Sequence, residues 1–388
     1  MAILKLENEI MDYAWGSCED IAALQGRPVP SPGPEAELWM GAHPKAPSLV
    51  QGRSLANVIN DDPVACLGSA TATTFNGRLP FLLKLLAAAQ PLSLQTHPNL
   101  DQAKAGFLRE NAAGIPLDAP HRNFRDDNHK PEVVCALGEF WALNGFRERE
   151  EFLGLIELAG LNEISAEIDA FRSSDGPQAL STLFTSLMSL DPARVLRLNQ
   201  ALRNAADGPL SHLDEGVWLQ RIHDSYPEDP GVISVLLLNL VKLTRGQAMP
   251  CSAGYLHAYL SGFCVELMAN SDNVLRGGLT PKHVDLDELT AALSFKAGPP
   301  MILEPQAGVY ATPVNEFGLT AVNARPDTTW ISPETHGFEI LVAVAGSGHI
   351  GNIPLRAGEA VAITADEGSY QVTGHLDLFK AEADPTNA

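Results

Sequence analysis

One short stretch of the chain reads Pro91-Leu92-Ser93-Leu94-Gln95-Thr96-His97-Pro98-Asn99, in which polar and apolar residues alternate. Because side chains alternate along an extended strand, Ser93, Gln95 and His97 would share one face and the leucines the other. The stretch therefore predicts a β-strand that carries a row of polar groups over an apolar core. A lone histidine after a strand is more often a hydrogen-bonded structural residue than a metal ligand, and Gln is a rarer zinc ligand than His, Cys or carboxylate. This strand alone leaves both interpretations open.

A second polar segment, Asn128-His129-Lys130-Pro131-Glu132, runs directly into the apolar residues 133–137. The same alternation places Lys130 and Glu132 on one face of a strand and His129 on the opposite face. A neighbouring Lys and Glu usually form a solvated pair that contributes little to stability. The apolar strand that follows predicts instead that this pair lies at the rim of a buried interior. A carboxylate and an ammonium there can hold a divalent cation and an anionic substrate side by side.

A third segment contains His257 and Tyr259, which have the same parity and so share a face of a predicted strand. Glu266 follows on the same run, and Arg276-Gly277-Gly278 comes after it, with Lys282 four residues further on. A glycine pair lets the backbone pass close to a ligand, and the two cations flank that pair. A turn with exposed basic residues explains this sequence equally well.

The charge balance and the cysteines exclude some classes of protein. Of 388 residues, 26 are Lys or Arg and 47 are Asp or Glu, which gives a formal net charge of −21. Nucleic-acid binding is therefore not expected, since phosphate backbones require clustered basic residues. The five cysteines are widely spaced and form no CxxC pair. This pattern favours reduced, structural thiols over a cysteine-based zinc site.

The distribution of apolar residues argues against a secreted or membrane protein. The first residues lack the basic start, apolar run and cleavage site of a secretory signal. The longest apolar stretch, residues 232–243, is interrupted by polar residues and is shorter than the roughly 20 residues of a membrane span. We therefore expect a soluble, cytoplasmic protein that does not enter a membrane.

The spacing of apolar residues changes along the chain. Through residue 147, short apolar runs alternate with Gly, Pro and Asn, as expected for strands and loops, and residues 79–86 fit a strand or a helix equally well. From residue 148 to the break at 226–231, apolar residues recur at intervals of three and four, which is typical of amphipathic helices. Within this part, Asp191-Pro192 predicts a helix start.

Strand-like patterns return after the helical part. Residues 232–243 and 254–269 have short β-like runs, and Asp285 looks like the start of one capped helix. From residue 301 the pattern alternates, with a turn predicted at 346–348. Within the segment from residue 301, one face of a predicted strand carries the apolar residues Phe338, Ile340, Val342 and Val344. The predicted fold class is mostly β with a helical insertion, divided into a β-rich domain (1–147 and 232–300), a helical insertion (148–231) and a second β-rich domain (301–388).

Taken together, these segments resemble the type I phosphomannose isomerases, also called mannose-6-phosphate isomerases, which are zinc-dependent cupin enzymes. The resemblance also includes Tyr13-Ala14-Trp15-Gly16-Ser17, Ala36-Glu37-Leu38-Trp39-Met40-Gly41-Ala42-His43-Pro44-Lys45 and Glu266-Leu267-Met268-Ala269-Asn270-Ser271-Asp272-Asn273-Val274-Leu275-Arg276. It extends from about residue 8 to residue 290, is weaker in the helical insertion and is vague in the last part. It implies a cupin (jelly-roll) catalytic domain and a second, cupin-like C-terminal domain. We expect no metal in the second domain, which shows no histidine cluster.

The resemblance also implies roles for individual residues. The family's catalytic arginine falls on Arg276. Its metal ligands, which imply one Zn²⁺ per chain, fall on Gln95, His97, Glu132 and His257. Other pocket residues of the family match Glu37, Lys84, Ser93, Lys130, Tyr259, Glu266 and Lys282.

Two positions depart from the family's usual sequence. Thr96 stands where Val is commoner, and its side chain would point away from the metal face. Leu256 stands where Pro usually precedes the histidine, and it can shift the loop that delivers His257.

The activity implied by the resemblance is the reversible conversion of mannose 6-phosphate to fructose 6-phosphate through a cis-enediol. Glu266 and Lys130 are both candidates for the group that carries the proton between carbon 1 and carbon 2. The substrate phosphate needs hydrogen-bond donors, and the candidates are Ser93, Lys84, Arg276 and Lys282. The expected partner is a small sugar phosphate, and a monomer is expected.

Two other functions fit parts of the sequence. A zinc hydrolase would use metal-bound water, but the chain has no HExxH helix. A non-catalytic, metal-binding sugar-phosphate cupin would keep the pocket and tolerate loss of the ligand set. All four ligand positions and the arginine are filled, which favours the isomerase.

Overall fold

The computed structural model describes residues 2–312 and 314–383. In chain order, the strands of these residues are β1 (Ile3–Leu6), β2 (Ile10–Met11), β3 (Glu37–Gly41), β4 (Leu49–Val50), β5 (Arg53–Ser54), β6 (Phe81–Ala88), β7 (Leu94–Thr96), β8 (Glu132–Phe146), β9 (Leu238–Leu243), β10 (Ala248–Cys251), β11 (His257–Ala269), β12 (Leu275–Gly278), β13 (Val309–Tyr310), β14 (Gly318–Ala324), β15 (Trp330–Ile331), β16 (Glu339–Ile350), β17 (Ile353–Arg356), β18 (Ala360–Ile363) and β19 (Gln371–Glu382).

The α-helices of the same residues are α1 (Asp20–Leu24), α2 (Leu55–Asp61), α3 (Pro63–Leu67), α4 (Ser69–Thr74), α5 (Leu100–Ala112), α6 (Arg149–Ala159), α7 (Ser165–Arg172), α8 (Gly176–Met188), α9 (Pro192–Asp207), α10 (Asp214–Ser225), α11 (Ser234–Leu237) and α12 (Leu286–Ala292). A 3₁₀ helix spans Pro230–Ile233. No helix in the described part of the chain is long and apolar enough to cross a membrane.

The first sheet is antiparallel and has the strand order β10-β8-β11-β6-β3-β2. Strand β9 pairs with β8, and β7 lies between β11 and β12. The sheet thus joins strands from before and after the helical insertion. Its centre is the long pair β8 and β11, which holds the two halves of the chain together.

Alternation gives this sheet two chemically different faces. On β6, Leu83 and Leu85 are buried in a cluster that also contains residues of the second sheet, such as Ile340 and Phe379. The residue between the two leucines, Lys84, therefore points to the opposite face. One face of the first sheet packs on the second sheet, and the other face carries polar groups.

The second sheet has the order β1-β18-β16-β19-β14-β13, with β15 beside β19 and β17 beside β16. Its edge strand β1 comes from the start of the chain and pairs with β18, Ile3 facing Ile363. The predicted apolar face on β16 is confirmed, because Phe338, Ile340, Val342 and Val344 are all buried between the sheets. Strand pairing does not close either sheet into a barrel among the residues described.

The turn predicted at residues 346–348 is wrong, because β16 continues through them to Ile350. The glycines there allow close approach of β19 instead of a reversal of the chain. A Cβ atom on Gly346, whose φ is +80°, would lie 1.9 Å from the carbonyl oxygen of His375. Glycine is therefore needed at this position for pairing, although it is also a common turn residue.

The helical insertion is confirmed as helical, with α6 to α10 packed around one apolar cluster. The helix start predicted at Asp191-Pro192 is also confirmed, since α9 begins at Pro192 and the Asp191 side chain accepts a hydrogen bond from the Arg194 backbone amide. The capped helix after Asp285 is α12, where Asp285 accepts from the amide of Glu288. In the stretch 79–86, which fitted a strand or a helix equally well, residues 81–86 form a strand, the first part of β6.

Two parts of the coarse secondary-structure prediction are wrong. Residues 232–243 were expected to be β-like, but residues 230–237 are helical and the strand covers only 238–243. The prediction failed because a fully buried apolar run has no period that separates helix from strand. The part before residue 147 is not only strands and loops, since it contains α1 to α5. Helix α5 begins with a capping box between Asn99 and Gln102, a local signal that the apolar pattern does not contain.

Candidate metal centre and active site

Three strand ends bring three possible metal ligands to one point on the polar face of the first sheet. His97 follows β7, Glu132 begins β8 and His257 begins β11. The pairing of β8 with β11 places Glu132 opposite Met268, near the far end of β11 from His257. Even so, Glu132 Oε1 and His257 Nε2 are 3.1 Å apart. The paired ribbon must therefore curl until its two ends meet.

Register shifts in the β8–β11 ribbon account for the curl. One lies between Tyr259 and Ser261 and another between Gly262 and Cys264. Gly262 has a φ of +124°, and a Cβ atom there would lie 2.5 Å from the carbonyl oxygen of Glu139. Bulges bend a strand and increase its twist, so glycine at this position allows the sharp bend that builds the pocket.

The three side chains form a compact, fully buried cluster. His97 Nε2 lies 3.5 Å from Glu132 Oε2, and the two imidazole ring centres are 5.2 Å apart. The possible ligand atoms of His97, Glu132 and His257 all lie within 4.8 Å of one another. All three side chains are 0% exposed.

Hydrogen bonds orient both imidazole rings. His97 Nδ1 lies 2.7 Å from the carbonyl oxygen of Asn273, and His257 Nδ1 lies 3.0 Å from that of Tyr255. A carbonyl oxygen only accepts, so each Nδ1 carries a proton, and each Nε2 faces Glu132. Burial and the ammonium of Lys130 lower the pKa of His97 to about 4, which keeps this ring neutral at pH 7.

This donor set fits a bound metal cation. His257 Nε2 is buried and makes no hydrogen bond to any residue among 2–312 and 314–383. A buried polar atom without a partner is costly, whereas a metal ion would use its lone pair. Two imidazoles whose Nδ1 atoms are hydrogen-bonded, together with a carboxylate, are the groups that zinc prefers.

Lys130 and Tyr259 complete the surroundings of Glu132. Lys130 Nζ donates to Glu132 Oε2 at 2.8 Å and lies 3.5 Å from His97 Nε2. The Tyr259 hydroxyl donates to Glu132 Oε1 at 2.7 Å. Burial alone would raise the pKa of Glu132, but the ammonium of Lys130 beside it holds that pKa well below its usual value. The carboxylate is therefore ionised and available as a ligand.

A second buried charge cluster lies on the same face of the sheet. Lys84 Nζ donates to Glu266 Oε2 at 2.8 Å and lies 3.5 Å from Glu37 Oε1, while Trp39 Nε1 donates to Glu37 Oε2 at 2.6 Å. Burial alone would lower the pKa of Lys84, but the two carboxylates raise it. Burial raises the pKa of Glu266, although Lys84 opposes the shift. Glu266 is thus a carboxyl group whose proton affinity is higher than usual.

Three cations lie together near the end of β12 without a carboxylate partner among the described residues. They are Arg125, Arg276 and Lys282. Within residues 2–312 and 314–383, the one hydrogen bond that their side chains make is from Arg125 to the carbonyl oxygen of Leu117, at 3.0 Å. Burial and Arg125 lower the pKa of Arg276. Burial, Arg276 and Arg125 lower that of Lys282. Three cations that repel one another, in a chain of net charge −21, produce a local positive potential that can attract an anion.

The remaining predicted site residues lie nearby. Gln95 on β7 pairs through its backbone with both His257 and Arg276, so it stands between the metal-ligand candidates and the cations. Ser93 precedes β7 and is partly exposed. His129, on the face opposite Lys130, instead pairs with Glu316 at 2.5 Å.

Sequence reasoning missed two residues of this region. Arg125 lies in a polar loop, where no periodicity shows the direction of a side chain. Asn273 contacts His97 through its backbone carbonyl, and backbone contacts leave no signal in residue type. In the sequence, Arg125 is set apart from other loop residues by its position three residues before Asn128, where the polar segment begins.

Comparisons with known proteins agree with this site. Residues 3–149 match the family described as phosphomannose isomerase type I, catalytic domain. The mannose-6-phosphate isomerase of Escherichia coli K12 is 42% identical to the chain over 392 residues, which cover 97% of this chain and 98% of the relative. That of Mus musculus is 32% identical, and the alignment covers 98% of each chain.

Solved structures give the same result for the fold. A zinc-bound crystal structure of mannose 6-phosphate isomerase superposes with a TM-score of 0.91 at 38% identity, covering 99% of this chain and 100% of the other. The Salmonella typhimurium enzyme bound to fructose 6-phosphate and zinc has the same TM-score, identity and coverage. These matches and the two strand-rich sheets confirm the predicted fold class, a mostly β cupin architecture with a helical insertion. The chain is a member of the type I phosphomannose isomerase family.

Proposed function

We propose that this protein is a zinc-dependent mannose-6-phosphate isomerase that interconverts mannose 6-phosphate and fructose 6-phosphate. The observation that carries the proposal is the buried cluster of His97, Glu132 and His257, in which an imidazole nitrogen has no hydrogen-bond partner in the described residues. Relatives with this named activity match the chain over nearly its whole length. The site therefore has both the chemistry and the relatives of an aldose–ketose isomerase.

Four residues would hold the metal, namely Gln95, His97, Glu132 and His257. The support for Gln95 is its strand position, directly opposite His257. When bound, Zn²⁺ supplies a Lewis acid that stabilises the negative charge developing on the substrate oxygens during enolisation. Lys130 shares the carboxylate of Glu132 and lies beside His97, so it adds a second positive charge at the same place.

Either Glu266 or Lys130 would carry the proton between carbon 1 and carbon 2. Glu266 has a raised pKa because it is buried, which suits a general base near neutral pH. Lys130 is placed next to the ligand cluster, where the reacting carbons of the sugar would lie. We expect that substitution of the true base, by Glu266→Gln or Lys130→Met, lowers kcat by roughly 10²- to 10⁴-fold.

Steady-state kinetics on both variants separate the base from a binding residue. A residue that only contacts the phosphate should mainly raise KM and leave kcat near the wild-type value. Thr290→Ala, which removes a hydroxyl on α12 that donates only to backbone carbonyls, is a control for substitution in the same domain. Unchanged kcat in both Glu266→Gln and Lys130→Met would show that neither residue is the base.

The substrate phosphate would bind Arg276 and Lys282, together with Ser93 and Arg125. The three cations have no carboxylate partner in the described residues, so their charges are available to an anion. Lys84 is a weaker candidate for phosphate binding, because two carboxylates already neutralise its ammonium. We propose instead that Lys84 holds Glu266 and Glu37 in place. Arg276 stays protonated, which excludes it as a base and suits it for binding the phosphate or a developing oxyanion.

One experiment tests the proposed function. The purified protein is assayed for bound zinc and for formation of fructose 6-phosphate from mannose 6-phosphate, before chelation, after chelation and after return of zinc. We expect turnover that is lost on chelation and restored by zinc. A zinc-loaded protein that binds the sugar phosphate without turnover would support the non-catalytic cupin instead.

We also propose the domain division 1–147 with 232–300, 148–231 and 301–388, in which strand β1 crosses to the sheet of the last domain, and a cytoplasmic monomer. The shared apolar cluster between the two sheets supports a single compact chain that needs no partner to cover those faces. All five cysteines are free, which suits a reducing compartment. Light scattering on the purified protein tests the monomer.

A further inference from the structure

A single asparagine in the loop between β11 and β12 contacts both the metal-ligand cluster and the cationic loop. Asn273 is 0% exposed. Its backbone carbonyl oxygen accepts the hydrogen bond from His97 Nδ1, at 2.7 Å. This contact sets which nitrogen of His97 is protonated and the direction in which Nε2 points.

The side-chain amide of Asn273 binds the backbone of a different segment. Its Nδ2 donates to the carbonyl oxygens of Asp126, at 2.8 Å, and Asn128, at 2.9 Å. Its Oδ1 accepts from the amide nitrogens of Arg125, at 2.7 Å, and Asp126, at 3.3 Å. Both donors and both acceptor positions of the amide are thus used, so the side chain has one well-defined orientation.

Neighbouring residues strengthen the same connection between the two loops. The Asp126 carboxylate accepts from the Ser271 hydroxyl at 2.8 Å and from the Asp272 amide at 2.7 Å. The backbone nitrogen of Asn273 donates a hydrogen bond to the Ser271 hydroxyl, at 3.2 Å. Residues 125–128 and 271–273 therefore form one hydrogen-bonded unit, and Asn273 is at its centre.

This unit carries groups needed on both sides of the pocket. One end holds Arg125 among the cations, and the chain continues from Asn128 to Lys130 and Glu132. The other end holds the carbonyl that orients His97. A histidine ligand depends on the acceptor of its second ring nitrogen, and loss of such an acceptor typically weakens metal binding by 10- to 100-fold. The carbonyl of Asn273 stays in place only while its side chain fixes the loop.

We propose that Asn273 is a positioning residue that fixes the His97 ring and the 125–130 segment relative to each other, through its carbonyl oxygen and its side-chain amide. The inference rests on the proposed zinc site and extends it to a residue that touches neither metal nor substrate. Without the side-chain amide of Asn273, the loop between β11 and β12 is no longer held to residues 125–128. The carbonyl oxygen that accepts from His97 and the backbone of Arg125 are then both free to move.

The test measures zinc affinity of the metal-free protein by competition with a chromophoric chelator, with no substrate present. We expect Asn273→Ala to weaken zinc binding roughly 10- to 100-fold and to raise the KM for mannose 6-phosphate. The matched control is Asn270→Ala. Asn270 is an amide on the same loop, but it donates to the carbonyl oxygens of Leu79 and Phe81 and so anchors the loop to β6. This control should lower thermal stability and leave zinc affinity within about threefold of wild type.

Equal zinc affinity in wild type and Asn273→Ala would overturn the inference, as would an equal loss in both alanine variants. If Asn273→Ala does not fold, Asn273→Asp gives the same comparison. The aspartate side chain keeps an oxygen that accepts from the backbone amide of Arg125. Its second oxygen replaces the NH₂ group, so it repels the carbonyl oxygens of Asp126 and Asn128 to which Asn273 donates. Wild-type protein that binds no zinc would refute the proposed metal site itself, which is a different result from either of these.

Discussion

The two sheets of this protein bury the same arrangement of three side chains, but only one arrangement carries the proposed site. In the first sheet, Glu132 accepts one hydrogen bond from Lys130 at 2.8 Å and one from Tyr259 at 2.7 Å. In the second sheet, Glu339 accepts from Lys380 at 2.8 Å and from Tyr370 at 2.5 Å. Each carboxylate uses one oxygen for the ammonium and the other for the phenol.

The difference lies in the histidines around each carboxylate. Both ring nitrogens of His336, near Glu339, face backbone carbonyl oxygens, at 2.8 and 3.4 Å. Lys380 also donates to a second carboxylate, Glu382, at 2.8 Å. Both oxygens of Glu339 and the ammonium of Lys380 therefore have protein partners, and one N–H of His336 has a carbonyl acceptor. Around Glu132, by contrast, His257 Nε2 has no hydrogen-bond partner in the described residues.

This comparison shows that a buried Lys–Glu–Tyr group does not itself identify an active site. Buried polar groups are normally satisfied, and a closed network such as that of Glu339 needs only a structural explanation. The functional signal is the nitrogen left without a partner beside an ionised carboxylate. Identical substitutions in the two sheets should therefore have different consequences.

The largest effect is expected from Glu132→Gln. This change removes the negative charge between the two imidazoles, so zinc affinity should fall and kcat/KM should drop by roughly 10²- to 10³-fold. Zinc content after dialysis and isomerase kinetics at saturating zinc measure the two effects. Full activity in the zinc-loaded variant would remove Glu132 from the proposed ligand set.

The curl that brings Glu132 to His257 explains how far sequence alone could predict this site. Strand alternation correctly grouped Lys130 with Glu132, because a period of two needs only local residues. The meeting of opposite ends of the β8–β11 ribbon depends on bulges around Gly262, and one glycine in a strand does not specify a bend. The ligand set therefore came from the family resemblance, not from spacing.

Other differences between prediction and structure have the same physical origin. Residues 232–237 were predicted as part of a strand but are helical, because a fully buried run carries no period that separates the two. Strand β1 pairs with β18, although almost the whole chain separates them, and no local pattern records such a partner. Arg125 and Asn273 act from loops, where neither period of two nor period of 3.6 applies.

An intermediate effect, on stability alone, is expected from Glu339→Gln. The change leaves the buried ammonium of Lys380 with only Glu382, so the free energy of unfolding should fall by about 3 kcal/mol. Activity of the folded, zinc-loaded protein should stay near that of wild type. Chemical denaturation and kinetics on the same preparation measure both quantities.

The partner substitution sharpens this result. In Glu339→Leu with Lys380→Met, both buried charges are gone, and most of the lost stability should return. If the double variant is as unstable as Glu339→Gln, the Lys380 charge is not the source of the loss. A large loss of turnover in the folded Glu339 variant would contradict the division of roles between the two sheets.

The smallest effect concerns the hydrogen bond between His129 and Glu316, which joins the C-terminal part of the chain to the site. His129 Nε2 lies 2.5 Å from Glu316 Oε1, one residue before Lys130. Burial alone would raise the pKa of Glu316, but the hydrogen bond from His129 lowers it below the usual 4.5. The Glu316 carboxyl therefore binds a proton less tightly in the folded protein than in the unfolded chain. The contact with His129 contributes stability above pH 4.5, and this stability is lost as the pH falls through the lowered pKa.

We expect Glu316→Gln to lower stability near neutral pH by about 1 kcal/mol or less and to make acid unfolding less steep. Because His129 also holds the segment that carries Lys130, kcat/KM should fall roughly threefold to tenfold.

The matched control is Glu359→Gln. Glu359 pairs with Lys5 at 2.6 Å within the second sheet, and its pKa is also lowered, against its burial, by Lys5. Both variants should therefore flatten the acid limb of the stability curve, but only Glu316→Gln should change the kinetics. Equal kinetics in the two variants would show that the C-terminal part of the chain supports the site only through packing, and that the contact between His129 and Glu316 is structural.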